Sequence, residues 1–433
     1  MYITQRFYII LTALILLIGS GYWFSPMFNI GRALLVLFTV AVVADAALLW
    51  HKRGITASRR CADRFSNGDN NRVLIDLGSS YPFSPKLTVT DEIPHQFQQR
   101  NICFKAQPNS TLTYELRPTQ RGVFAFGHIR VFARSPLALL ERRFTCGEPK
   151  EVKVYPSYLM LHQYELLAFS NRLNEMGIKR IRRIGNNTDF EQIKDYVQGD
   201  DYRTINWRAT ARCSHLMVNV YQDEKSQQVF NIIDKGRVMQ QAFHNLTLLD
   251  YAINASLVLS YVAMHKDDKA GLGTFCNTLD SFLTAQKSPG HMQNILETLY
   301  NVNTDFGESD FSALVDGIRL HITKRSLIIL YTNFSGEVSM RRQLPYLKQL
   351  ARHHRVLVVF FADAELKDYA EQPATTSEDY YRHVIAEKFI YEQRLVVNTL
   401  KQNGILCLLT TPDQLSVNVI NKYLELKARG MVN

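Results

Sequence analysis

Residues 229–238 read VFNIIDKGRV, a short apolar run that ends on a carboxylate and turns through a glycine. Five residues suit a strand better than a helix, and a strand that is apolar on both faces belongs inside a sheet covered on two sides. Residues 326–331 (SLIILY), 355–361 (RVLVVFF) and 405–409 have the same character. Helical apolar spacing lies between or beside them at 246–264, 292–300, 341–353, 380–402 and 415–429, and short strands fit 270–275 and 281–285. This alternation predicts an α/β domain over 229–433 with a doubly wound, mostly parallel sheet. Open sheets of this kind place ligands at the carboxyl ends of their strands, so Asp234 is the first position to inspect.

Upstream the pattern changes. Residues 73–77, 86–89, 102–105, 111–116 and 129–133 are brief β-prone pieces separated by Gly, Pro, Asn and Asp, which predicts a small antiparallel β-sandwich over 54–155. A linker over 156–228 joins it to the α/β domain. Ahead of both, 7–23 and 30–50 are two nearly uncharged apolar runs, each close to the ~20 residues needed to cross a bilayer, and together they predict a transmembrane hairpin over 1–53. A cleaved signal peptide also fits the first run, with the second then acting as a stop-transfer anchor. His51, Lys52, Arg53, Arg59 and Arg60 follow the second run, so the positive-inside tendency puts the body in the cytoplasm.

The chain has 433 residues and a net charge of +10, with six dispersed cysteines that form neither a zinc pattern nor a disulfide framework, which fits a reducing compartment. The basic balance suits either nucleic acid or an anionic membrane. Nothing in the sequence resembles a stacking platform or recognition helix, so nucleic acid is disfavoured, and the KRIRR run at 179–183 reads as an exposed loop or a lipid-headgroup contact.

Templates for catalysis lack their starting residues: there is no GxxxxGK[ST] loop, HExxH or GxSxG. Gly271 and Gly273 in AGLGTF lack the third glycine of a dinucleotide fingerprint and read as a tight turn. His353 and His354 are adjacent and cannot chelate one ion as an i, i+4 pair would. A von Willebrand type A domain builds its metal-ion-dependent adhesion site at the strand end occupied here by Asp234, using two serines, a distant threonine and a second aspartate. The serine positions hold Gly236 and Val238, and the tip of the SLIILY strand reads Thr332, Asn333. Lys235 and Arg237 set positive charge next to the carboxylate. Too few oxygen ligands remain for a cation, so the set is read as a degenerate remnant, with no metal, no cofactor and no catalytic residue expected.

The densest functional signal is VQGDDYRTINWRATAR, residues 197–212. Gly199 permits a sharp turn, Asp200 or Asp201 is placed to cap a following helix, and Arg208 and Arg212 share a helical face with Arg203 about one turn earlier. Trp207 is placed to anchor that helix on the domain. Two readings stand side by side: an internal ion-pair network with Asp189, Glu191, Asp200 and Asp201, or an arginine patch aimed at an acidic surface.

FEQIKDYVQGDDYRTINWRATAR, the strand LMVNVYQDEK and the aspartate of IIDKGR together resemble the signature of the bacterial membrane-protein family catalogued as domain of unknown function 58. The family is similar over nearly the whole chain: paired N-terminal spans, an RG-containing β region before a DP-type turn (Ser135-Pro136 here), and a von Willebrand type A-like C-terminal domain. The resemblance implies a non-enzymatic adaptor in the inner membrane, working with a MoxR-type AAA+ ATPase, with the segment Gly199 to Arg212 forming or bracing the docking surface. It names no client and no oligomeric state. A hydrolase or ligand-binding enzyme acting on envelope material at Asp234, Thr332 and Asn333 is the alternative.

Overall fold

The computed structural model describes residues 2–50, 54–95, 97, 102–158, 189–198, 200, 202–222, 226–244, 246–372 and 376–430. They divide into two compact units, Met1–Ser157 and Tyr158–Asn433.

In the first unit a two-residue strand β1 (Tyr2–Ile3) precedes two apolar helices, α1 (Gln5–Ser20) and α2 (Ser25–Trp50). Among the described residues, the helix 26–50 is long and apolar enough to cross a membrane, and α1 is a shorter apolar helix. Among the described residues ten further strands follow: β2 (Ile55–Cys61), β3 (Arg64–Ser66), β4 (Asn71–Ser79), β5 (Lys86–Asp91), β6 (Ile102–Ala106), β7 (Thr111–Leu116), β8 (Gly122–Phe126), β9 (Ile129–Arg134), β10 (Leu140–Cys146) and β11 (Lys150–Tyr155). They form sheets in the orders β1-β10-β9-β5-β6, β2-β4-β7 and β3-β11-β8, antiparallel except where β3 meets β11. Alternate residues such as Val73, Ile75 and Leu77 on β4 and Ile129 and Val131 on β9 point into one apolar core with Phe65 and Phe126. Within it Asp91 is fully buried, and it is paired with Arg59 and accepts the Tyr114 hydroxyl. Tyr114 is consequently held well above its ordinary value, first by burial and then by that carboxylate.

The second unit begins with an antiparallel ribbon, β12 (Asp189–Asp195) and β13 (Met217–Gln222), with the short helix α3 (Trp207–Cys213) between them. Next come β14 (Gln228–Asp234), the two-residue pair β15 (Ala242–Phe243) and β16 (Leu246–Thr247), α4 (Leu248–His265), β17 (Lys269–Phe275), β18 (Leu279–Gln286), α5 (His291–Tyr300), α6 (Phe311–His321), β19 (Leu327–Tyr331), α7 (Glu337–His353), β20 (Arg355–Phe361), α8 (Ala364–Glu371), α9 (Ser377–Gln402), β21 (Leu406–Thr410) and α10 (Leu415–Ala428). The main sheet runs β18-β17-β14-β19-β20-β21, parallel throughout except for the antiparallel edge strand β18. One face carries Val229, Ile233, Tyr331 and Val359 against α4, α5 and α10; the other carries Phe230, Ile232, Leu330 and Val358 against α6, α7 and α9. Asn231 is tolerated inside this apolar run because its amide donates to Ser260 Oγ at 2.9 Å and its carbonyl accepts the Tyr331 hydroxyl. Gly271 and Gly273 lie inside β17 instead of a turn: a Cβ there would come within 2.4 Å of Phe230 and 2.7 Å of Ile232, so the neighbouring strand dictates glycine.

Leaving β14 the chain first builds outward through α4 to β17 and β18, then returns to lay β19 on the opposite side of β14. The reversal of strand order falls between Asp234 and Thr332. Such a switch point opens a crevice at the carboxyl edge.

Candidate functional site

Asp234, at the last position of β14, has no solvent exposure. Its Oδ1 accepts the Gly236 amide at 2.8 Å and the Ser309 hydroxyl, and its Oδ2 accepts the Thr332 hydroxyl at 2.6 Å. Burial pushes the carboxyl above its ordinary value, and the hydrogen bonds from Ser309, Thr332 and Gly236 oppose that shift without reversing it. Ser309 is invisible to local spacing, being 75 residues from its partner; its one sequence signal is its place just before Asp310, whose side chain caps α6. A Cβ at position 236 would lie 1.9 Å from Ser309 Oγ, so glycine there makes room for the loop serine. Val238 is only partly buried and packs against the core.

Lys235 does not touch the carboxylate, contrary to the charge competition expected from sequence: its ammonium pairs with Asp280 at 2.6 Å. Asn333 accepts its neighbour's amide, Phe334 N, at 3.0 Å. Among the described residues no group of three His, Cys, Asp or Glu side chains is arranged to hold a metal ion. At the tip of β14 the Asp234 carboxylate is thus engaged by three internal donors.

Beside this rim lies a cavity of about 370 Å³, lined by Arg237, Gln241, Asn333, Ser335, Asp363 and Glu392 together with Phe243, Phe334, Phe360, Phe361 and Phe389. The polar groups come from the ends of β14, β19 and β20 and from α9, and the aromatic rings supply an apolar floor. This mix is suited to holding an amphipathic group.

The signature segment departs from two expectations. Gly199 and Asp201 lie outside the described residues, as does the 179–183 run. Asp200 turns back on its own strand, where its Oδ2 accepts Val197 N at 3.0 Å and its Oδ1 pairs with Lys194 at 3.0 Å. Those two contacts hold its carboxyl below the usual range. The helix cap is therefore not an aspartate: Asn206 accepts Ala209 N at 3.0 Å while its amide donates to Asn219 on β13. Trp207 does not anchor the helix either, since it is 70% exposed, and Tyr202 is 69% exposed. Asn206, whose amide donates to Asn219, and Thr210, which receives Met217 N, tie α3 to the ribbon and leave the indole outward. The Arg203 guanidinium stands 5.8 Å from the Tyr202 ring centroid. Arg208 and Arg212 are exposed, and among the described residues no carboxylate pairs with either. Asp200, engaged by Lys194 and Val197 N, supplies no part of an ion-pair network to these two arginines.

These features define a class: a protein with an N-terminal apolar helix long enough for a membrane, several antiparallel sheets, and a mixed, largely parallel sheet whose rim is polar and closed. Residues 192–372 match the family described as protein of unknown function DUF58, which is the family that the signature resembles. The uncharacterized protein YeaD of Bacillus subtilis is 23% identical over 310 residues, covering 69% of this chain and 75% of that protein. An uncharacterized protein of Mycobacterium tuberculosis is 20% identical over 181 residues, covering 41% of this chain and 56% of its own length. Among solved structures, proximal thread matrix protein 1 from the mussel byssus covers 47% of this chain and 46% of its own at 12% identity, with a TM-score of 0.27. The CARDB domain of the PF1109 protein from Pyrococcus furiosus covers 23% of this chain and 91% of its own at 16% identity, with a TM-score of 0.18.

Proposed function

We propose that this chain is a non-enzymatic adaptor of the bacterial inner membrane. A two-helix hairpin anchors it, its body faces the cytoplasm, and its von Willebrand type A-like domain works with a MoxR-type AAA+ ATPase in envelope or complex-assembly maintenance. The observation that carries the reading is the outward pair Tyr202 and Trp207 beside Arg203, Arg208 and Arg212. Trp, Tyr and Arg are the residues that dominate binding energy at protein interfaces. Helices on both faces of the sheet support the von Willebrand type A-like assignment, and the Phe7 and Phe38 rings, 5.3 Å apart, support pairing of α1 with α2 as a hairpin.

The test is recovery of a tagged MoxR-type ATPase with the full chain from solubilised membranes. Removing two central anchors costs about 2 kcal/mol each, so Trp207→Ala combined with Arg208→Glu should weaken binding well over tenfold. Both side chains are exposed, so the unfolding midpoint should not move. Failure to recover the ATPase in any nucleotide state removes the adaptor reading.

The cavity favours a second reading, a ligand-binding or hydrolytic site for envelope material, because Arg237, Asn333 and Glu392 face one space. Saturable binding of a small amphipathic anion by the full chain that is lost in Arg237→Ala would favour that reading over the adaptor, and absence of such binding would remove it.

A further inference from the structure

We propose that the turn at residues 135–140 is a lipid-contacting element that seats the first unit directly on the bilayer. The proposal rests on the membrane-anchored reading above. At about 1.5 Å per residue, residues 26–44 cover about 28 Å, close to the ~30 Å hydrocarbon core of a bilayer. Asp45 therefore falls at its edge, and the last turn of α2 lies above it.

That last turn is gripped by the β strands. Asp45 is fully buried, and its Oδ1 accepts Leu137 N at 3.3 Å. The Leu49 carbonyl accepts both Arg142 Nη1 at 2.9 Å and the Tyr81 hydroxyl at 2.8 Å, and the Arg142 guanidinium stands 5.3 Å from the Trp50 ring centroid. The start of α1 is held by the same turn: Thr4 Oγ1 donates to Ala138 O at 2.6 Å and Thr4 N to Leu139 O at 3.1 Å. Just before it, β1 pairs with β10.

Both helix ends are thus fixed to one turn, and the turn is itself rigid. Ser135 Oγ accepts Leu140 N at 3.2 Å, the role an aspartate would fill, and Ala138 is left-handed at φ 57°. With its amide committed to Asp45, Leu137 still leaves its side chain 52% exposed at the depth where the span ends. An apolar side chain held there is positioned to enter the interfacial layer, with Trp50 and Arg142 at headgroup level.

The full chain is reconstituted in phosphatidylethanolamine and phosphatidylglycerol vesicles, with the photo-reactive residue p-benzoylphenylalanine replacing Leu137, Val40 or Val123 in turn. Val40 reports the span, and Val123, 53% exposed on β8, reports an apolar surface residue of the same unit. Irradiation should yield phospholipid adducts from 137 and 40 at similar levels and at least tenfold fewer from 123. Adducts at 40 without adducts at 137 overturn the seating and leave the anchor intact. No adducts at 40 remove the anchor and the seating together. Cross-linking of 137 to a second protein chain instead of lipid, or equal labelling at 123, also overturns the proposal.

Discussion

At Asp234 a carboxylate without solvent exposure faces three donors, so removing it and neutralising it should have different consequences. Asp234→Ala strands the Ser309 and Thr332 hydroxyls in a dry site and should cost about 2–4 kcal/mol in chemical denaturation of the full chain. Asp234→Asn retains an acceptor and can donate to Thr332 Oγ1, so its cost should be smaller. The pH dependence has a definite sign. Burial raises the folded carboxyl above the unfolded value of about 3.9, so the folded state binds the proton more tightly. That contribution is complete below about pH 4 and is lost as pH rises through the folded value. The Asn variant has no such titration, and its stability relative to the parent should rise from pH 4 toward neutrality. A difference that stays flat across that interval would show that Asp234 is ionised at no cost in the folded state.

At the scale of elements, the rim depends on a loop supplying what the β14 turn lacks. Gly236→Ser restores the serine of an adhesion-site pattern but drives its Cβ into Ser309 Oγ, so it should destabilise by about 1–3 kcal/mol. In a Ser309→Gly background the clash is gone and the same change should cost far less; additive costs would mean that the two positions do not share the space. This exchange shows what spacing cannot reveal. The apolar strands 229–233, 326–331 and 355–361 were legible because burial on both faces leaves an unbroken run, and the 192–372 family match was legible in its signature. Strand β2 was not, because Thr56, Ser58 and Arg60 occupy its outer face and Arg59, whose side chain is buried against Asp91, interrupts the apolar inner face. Helix α6 was missed behind the loop that delivers Ser309, and the Asn206 cap was hidden by the more conspicuous aspartates at 200 and 201. Exposure of Trp207 was unreadable because an indole beside arginines fits an anchor and a contact equally well.

At the scale of the molecule, the apolar helices are part of the first unit's architecture and not only a tether. Strand β1 completes the edge of a sheet at β10, Thr4 binds the 135–140 turn, and Asp45 and Leu49 accept from Leu137, Arg142 and Tyr81. A chain truncated to 54–433 loses all of these and exposes the β10 edge, whose unpaired backbone groups invite association. With a handful of hydrogen bonds removed at about 0.5–1.5 kcal/mol each, the first unit should lose several kcal/mol. Compact units of one chain can unfold in separate steps. The truncation should therefore lower the transition of residues 54–157 and leave that of 158–433 in place. Amide hydrogen exchange provides the residue-level measure: β10 and the 135–140 turn should exchange markedly faster after truncation, while β14 and β19 should not change. Unaltered protection across 140–146 would mean that the strands stand without the helices, and that the contacts at Asp45 and Leu49 position the unit without stabilising it.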